Sequence, residues 1–138
     1  MKRPKGTRKI GRGKILVVED NEDSREILAK LLRMSGYEVS SAPDGESAYA
    51  AAMSQMPDLI ITDINMPGMD GIDLLKKMRL QSLFDRTAIL VVTAFGGEAA
   101  REAIEAGADA AAAKPFDFEA FVETVQNLIF SRTQPANG

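Results

Sequence analysis

The sequence predicts an α/β protein, a doubly wound parallel sheet of five strands with helices on both faces. Three observations predict it. Short apolar runs alternate along the chain with stretches of helical apolar spacing. Several of those runs stop in an acid or a hydroxyl, as in Val17-Val18-Glu19-Asp20, Ile61-Thr62-Asp63 and Val91-Val92-Thr93. The chain has 138 residues, 45% of them apolar, which is material for one core and too little for two ordinary domains.

Each element follows in order. Lys14–Val18 reads as a buried strand. From Ser24 to Ser35, apolar residues at Ile27, Leu28, Leu31, Leu32 and Met34 have helical spacing, and Gly36 stops the helix. Tyr37–Ala42 is a weaker strand, and Gly45–Met53 an alanine-rich helix. Leu59–Asp63 is the third strand. The loop Met66-Pro67-Gly68-Met69-Asp70-Gly71 follows, marked by its Pro and Gly. Ile72, Leu74, Leu75 and Met78 continue as a helix. Ala88–Thr93 is a strand, and Glu98–Ala106 a helix expected to bury Ala99, Ala100, Ala103 and Ile104. Gly107–Ala113 poses a conflict, because an alanine run favours helix whereas the alternation requires a fifth strand. The strand is the reading adopted. Phe118, Phe121, Val122, Val125, Leu128 and Ile129 then form the apolar face of a last helix.

Right-handed crossovers put all the strand C-termini on one edge. Open sheets of this kind bind ligands at that edge, where the strand order reverses. The edge would therefore collect Glu19 and Asp20 from strand 1, Asp63 from strand 3, Thr93 from strand 4 and Lys114 from strand 5. Each has a plainer reading alone: a helix cap, a turn residue, a β-former, a solvated lysine. All of them on one edge require four coincidences.

Composition narrows the chemistry. The chain has no Cys and no His. Disulfides, thiolate zinc sites, cysteine nucleophiles and imidazole bases are excluded. A metal site must be oxygen-rich, which selects Mg²⁺, Ca²⁺ or Mn²⁺. Three close carboxylates repel one another unless a cation intervenes. Mg²⁺ together with the Lys114 ammonium would bring the cluster near neutrality and leave water positions open to phosphoryl oxygens. No apolar run reaches the roughly 18–20 residues of a spanning helix, and the basic start has no apolar segment after it. A cytoplasmic location is expected.

The motifs VVEDNE at 17–22, TDINMPGMDG at 62–71, VVTA at 91–94 and AKPF at 113–116 together resemble the receiver domain of two-component response regulators. The resemblance covers about residues 14–132. It implies the flavodoxin-like (βα)5 fold with strand order 2-1-3-4-5, and a protein that signals rather than turns over a substrate. It implies that Asp63 is the phosphoacceptor, attacking the phosphohistidine of a histidine kinase or histidine phosphotransfer protein. Asp20 and Asp63 would ligate Mg²⁺ (Mn²⁺ as alternative), with the Asn65 backbone carbonyl, and Glu19 would act through water. Lys114 would pair with Asp63 and then with the phosphoryl group, and Thr93 would bond a phosphoryl oxygen. A cis Lys114–Pro115 peptide, lifetime tuning by Asn65 and Phe95, and output through the helix 4, strand 5 and helix 5 face are implied too. That face would meet a downstream protein or a second copy on activation. One departure is Ala111, where many receivers carry an aromatic that swings inward. Output must then run through loop and helix shifts, or Phe95 or Phe116 must substitute. Glu19 stands where Asp is also frequent, a mild change.

Residues 1–14 carry seven basic side chains and no acid, against a net charge of −3 for the whole chain. Residues 1–13 read as a disordered basic arm and 133–138 as a flexible tail. The arm is a solvated tail in the reading favoured from sequence. Binding of nucleic acid or an anionic surface by charge, and folding back on the acidic domain, are the alternatives. It has no aromatics to stack bases, which argues against base-specific recognition. A phosphorelay shuttle without its own output is a further alternative. An aspartate phosphatase of related fold would place its nucleophile after strand 1, and a flavin protein would need Gly and hydroxyls there instead of acids. The sequence ends without a recognisable output domain, so a stand-alone receiver and an excised one are both expected forms.

Overall fold

The computed structural model describes residues 13–94, 97–115 and 117–133. The readings of the basic arm before Gly13, of Phe95 and Phe116, and of the tail after Thr133 lie outside the described residues. The strands are β1 (Lys14–Val18), β2 (Glu38–Ala42), β3 (Leu59–Asp63), β4 (Ala88–Thr93) and β5 (Ala110–Ala113). The helices are α1 (Glu22–Met34), α2 (Gly45–Gln55), α3 (Gly71–Arg79), α4 (Gly97–Ala106) and α5 (Phe118–Thr133), with a 3-10 turn at Ser82–Phe84 that the sequence reading missed. The five strands are parallel in the order β2-β1-β3-β4-β5, the expected doubly wound sheet.

The central strands β1, β3 and β4 are apolar because both their faces are covered. Ile15, Val17, Leu59, Ile61, Leu90 and Val92 point to one layer with Ala29 and Leu32 of α1 and Phe121 and Val125 of α5. Leu16, Val18, Ile60, Ile89 and Val91 point to the other, with α2, α3 and Ala103 of α4. The alanine run forms β5, in register with Leu90–Thr93 of β4, so pairing overrides helix propensity there.

Two expectations change. Ile27 and Met34 have helical spacing yet are 60% and 74% exposed, so α1 buries mainly Ala29 and Leu32. α4 buries only Ala103 fully, and Ile104 is 45% exposed. That helix rests on the sheet through small side chains and is held by little apolar area. Met66 is buried and Met69 packs on the same layer, as loop packing predicts.

Candidate functional site

The strand order reverses beside β1, where β2 lies on one side and β3 on the other. Register sets what meets there. Val18 pairs with Thr62 and Asp63 with Val92, so Glu19, Asp63 and Thr93 end adjacent strands at one level. Thr93 pairs with Ala113, which places Lys114 next in line, and the Lys114 N–H donates to the Thr93 carbonyl at 2.9 Å.

The acids come together. Carboxylate oxygens of Glu19, Asp20 and Asp63 all lie within 4.8 Å of one another. Glu19 and Asp63 are nearly buried, at 8% and 9% exposure, while Asp20 opens to solvent. Lys114 Nζ donates to Asp63 Oδ2 at 3.0 Å and to Glu19 Oε1 at 3.2 Å. Glu19 and Asp63 also each accept from a backbone donor: Asn21 N–H to Glu19 Oε2 at 3.0 Å, and Asn65 N–H to Asp63 Oδ1 at 3.3 Å. Strand alternation separates the last residue of the set. Asp63 continues the Leu59/Ile61 face towards α1 and α5, whereas Thr93 continues the Ile89/Val91 face towards α3 and α4. The Lys114–Pro115 peptide is cis.

Burial pushes the Glu19 carboxyl above its ordinary value, and the charge of Asp63 adds to it; the Asn21 N–H and Lys114 pull the other way without cancelling it. Burial works against the charge of Lys114, but its contacts with Asp63 and Glu19 more than offset this and raise it overall. Lys114 therefore stays an ammonium, and it leaves the three-acid cluster short of positive charge. Hard oxygen donors gathered this closely fit a divalent cation of the Mg²⁺ class.

Three supporting residues escaped the sequence reading. Asn21, not Glu19 or Asp20, caps α1, accepting from Ser24 N–H at 2.8 Å. That frees both acids for the edge, and an Asn just before the acidic pair Glu22-Asp23 was the available signal. Arg25 donates to the Glu19 carbonyl at 2.9 Å. Gly71 opens α3 directly against the end of β3: its N–H meets the Ile64 carbonyl at 2.9 Å, and a Cβ there would overlap the Asp63 carbonyl oxygen. Only glycine lets the loop after Asp63 fold back this tightly.

Residues 15–126 match the family model described as the response regulator receiver domain. The chain is 37% identical over 126 residues to response regulator MprA of Mycolicibacterium vanbaalenii, covering 91% of this chain and 53% of that protein. It therefore spans about half the length of some curated relatives it matches. It is 32% identical to sporulation initiation phosphotransferase F of Bacillus subtilis, covering 84% of this chain and 93% of that one. The receiver domain of sensor histidine kinase PA1611 from Pseudomonas aeruginosa, solved with a magnesium ion coordinated in its active site cleft, superposes with a TM-score of 0.79 at 32% identity, covering 86% of this chain and 98% of that one.

Proposed function

Since this chain belongs to the response regulator receiver family, we propose that it is a phosphoacceptor of a two-component system, with Asp63 as the residue that takes the phosphoryl group. The observation carrying this reading is the pairing of Asp63 with Lys114 inside a cluster of three carboxylates. A carboxylate oxygen of Asp63 attacks the phosphorus of a phosphohistidine, the P–N bond breaks, and an acyl phosphate forms on Asp63. The histidine belongs to a kinase or phosphotransfer partner, because this chain has none. Lys114 holds the attacking carboxylate and then neutralises phosphoryl oxygens. Asp20, Asp63 and the Asn65 backbone carbonyl would hold Mg²⁺, with Glu19 reaching it through water. When bound, the ion supplies the charge neutralisation that phosphoryl transfer needs.

Modification adds nearly two negative charges at the mouth of β3. Thr93 supports the next step, since turning its hydroxyl from the α3–α4 layer towards Asp63 would draw on the start of α4. That helix is weakly held, so the α4–β5–α5 face is where the signal would appear to a downstream protein or a second copy. Ala111 lies in β5 on the α4 side and packs against that layer without a ring to swing. The reading places the protein in the cytoplasm, and the described helices include none long and apolar enough to cross a membrane. Similarity to a phosphotransferase over nearly its whole length favours a second reading, a relay shuttle that passes the phosphoryl group to another histidine.

Phosphate-affinity electrophoresis after incubation with acetyl phosphate tests the main reading. A retarded band that requires Mg²⁺ and is lost with EDTA is expected. A band formed equally well in EDTA would refute it.

A further inference from the structure

A cavity of about 520 Å³ opens between α1 and α5. Its floor is Val17, Ile61 and Val92, and its walls are Leu28 and Leu31 of α1 and Phe118 of α5. At its upper end it is continuous with the acid cluster, since Glu19, Asp63 and Lys114 also line it. Ile27, Leu31 and Met34 recur at helical spacing on α1, and the exposure of Ile27 (60%) and Met34 (74%) extends the apolar line towards the opposite edge of the sheet. Apolar area of this kind on an otherwise charged helix marks a surface that something covers.

The chain itself arrives at the foot of this groove. Gly13 enters β1 against α5, where a Cβ would come within 2.8 Å of Ile129 Cδ1. Residues 1–12 therefore join the fold where α1 and α5 end. They hold Lys2, Arg3, Lys5, Arg8, Lys9 and Arg12, no acid, and one aliphatic residue, Ile10, beyond Met1. The path from Gly13 up to Glu19 is the length of β1, roughly 20 Å at about 3.3 Å per residue. Twelve residues reach roughly 40 Å when extended. Ile10 can meet the apolar foot of the groove, and Lys2, Arg3 and Lys5 can reach the acids at its head.

We propose that the α1–α5 groove is the docking surface of residues 1–12, with Ile10 on its apolar foot and the basic side chains over Glu19, Asp20 and Asp63. Docked there, the segment competes with a divalent cation for the carboxylates. Length, exit point and charge all point to this occupant. The proposal does not depend on Asp63 accepting phosphate, because the contact is read directly.

The chain has no cysteine, so Thr7→Cys in the full chain takes a single nitroxide label. Amide resonances of Ser24–Leu31 should broaden, and those of Ile72–Met78 on the opposite layer should not. Broadening that is absent, or that appears only when labelled and isotope-enriched chains are mixed, overturns the proposal; the second result would assign the groove to another copy. A full chain with Lys2, Arg3 and Lys5 changed to Gln should bind Mg²⁺ about fivefold more tightly at low ionic strength, and the difference should vanish at high salt. Equal affinities at low salt would overturn the competition.

Discussion

At the lower edge of the sheet Asp109 accepts hydrogen bonds from Arg79 at 2.9 Å, from Arg132 at 3.0 and 2.7 Å, and from the Ile89 N–H at 2.8 Å. At the upper edge, Glu19, Asp20 and Asp63 crowd within 4.8 Å around the Lys114 ammonium. Both clusters are partly buried and both join several elements. The lower one is closed. Arg79 also donates to the Gly107 and Phe84 carbonyls and Arg132 donates to the Asp85 carbonyl, so α3, the 3-10 turn, β4, β5 and α5 are tied together. The upper one is open: its negative charge exceeds its positive charge, and its oxygens face solvent through Asp20. A saturated cluster can only hold the fold, whereas an unsaturated one can take a ligand.

The largest predicted effect tests the open cluster. Lys114→Ala removes the cation facing Asp63 and should slow phosphorylation by acetyl phosphate about 100-fold, measured as initial rate at saturating Mg²⁺. A rate within twofold of the wild type would take Lys114 out of the chemistry. Asp109→Ala tests the closed cluster. It strands two guanidinium groups and the Ile89 N–H, and should cost about 3 kcal/mol in urea unfolding while leaving Mg²⁺ affinity unchanged. A loss of Mg²⁺ binding in the folded variant would show that the two edges are not independent.

Glu19→Gln contrasts stability with binding at one residue. The Glu19 carboxyl lies above its ordinary value of 4.5, chiefly through burial. Such a group stabilises the fold below the unfolded value, and the contribution is lost as pH rises through the folded value. Metal-free wild type should therefore lose stability from this group as pH rises above the ordinary carboxylate range, and the Gln variant should not. Mg²⁺ affinity should fall about 10-fold in the same variant, by calorimetric titration. The smallest effect is Asp70→Ala. Asp70 caps α3 through Asp73 N–H at 2.9 Å, in a reciprocal capping box. Its loss should cost about 1 kcal/mol with no change at either edge.

The open cluster was legible in the sequence because its residues sit at strand ends, where an apolar run breaking into an acid is visible locally. The closed cluster was not. Arg79, Asp109 and Arg132 are far apart in the chain and look like ordinary surface charges until the topology brings them together. β5 was legible only through alternation, since four alanines carry no strand signal of their own. Thr93 shows the limit of reading strand ends: its level at the edge follows from sequence, but the face it takes depends on register. The groove between α1 and α5 had a trace in the pattern, the stripe Ile27, Leu31 and Met34, but periodicity alone does not separate a buried stripe from an exposed one.

The most direct test of the account locates the modified side chain. Borohydride reduces an aspartyl phosphate to homoserine, so wild-type chain treated with acetyl phosphate and Mg²⁺, then reduced and digested, reports the acceptor by peptide mass. Homoserine at position 63, absent when EDTA replaces Mg²⁺, is the predicted result. Homoserine at position 20, or at neither position in chain that has taken up phosphate, would contradict it.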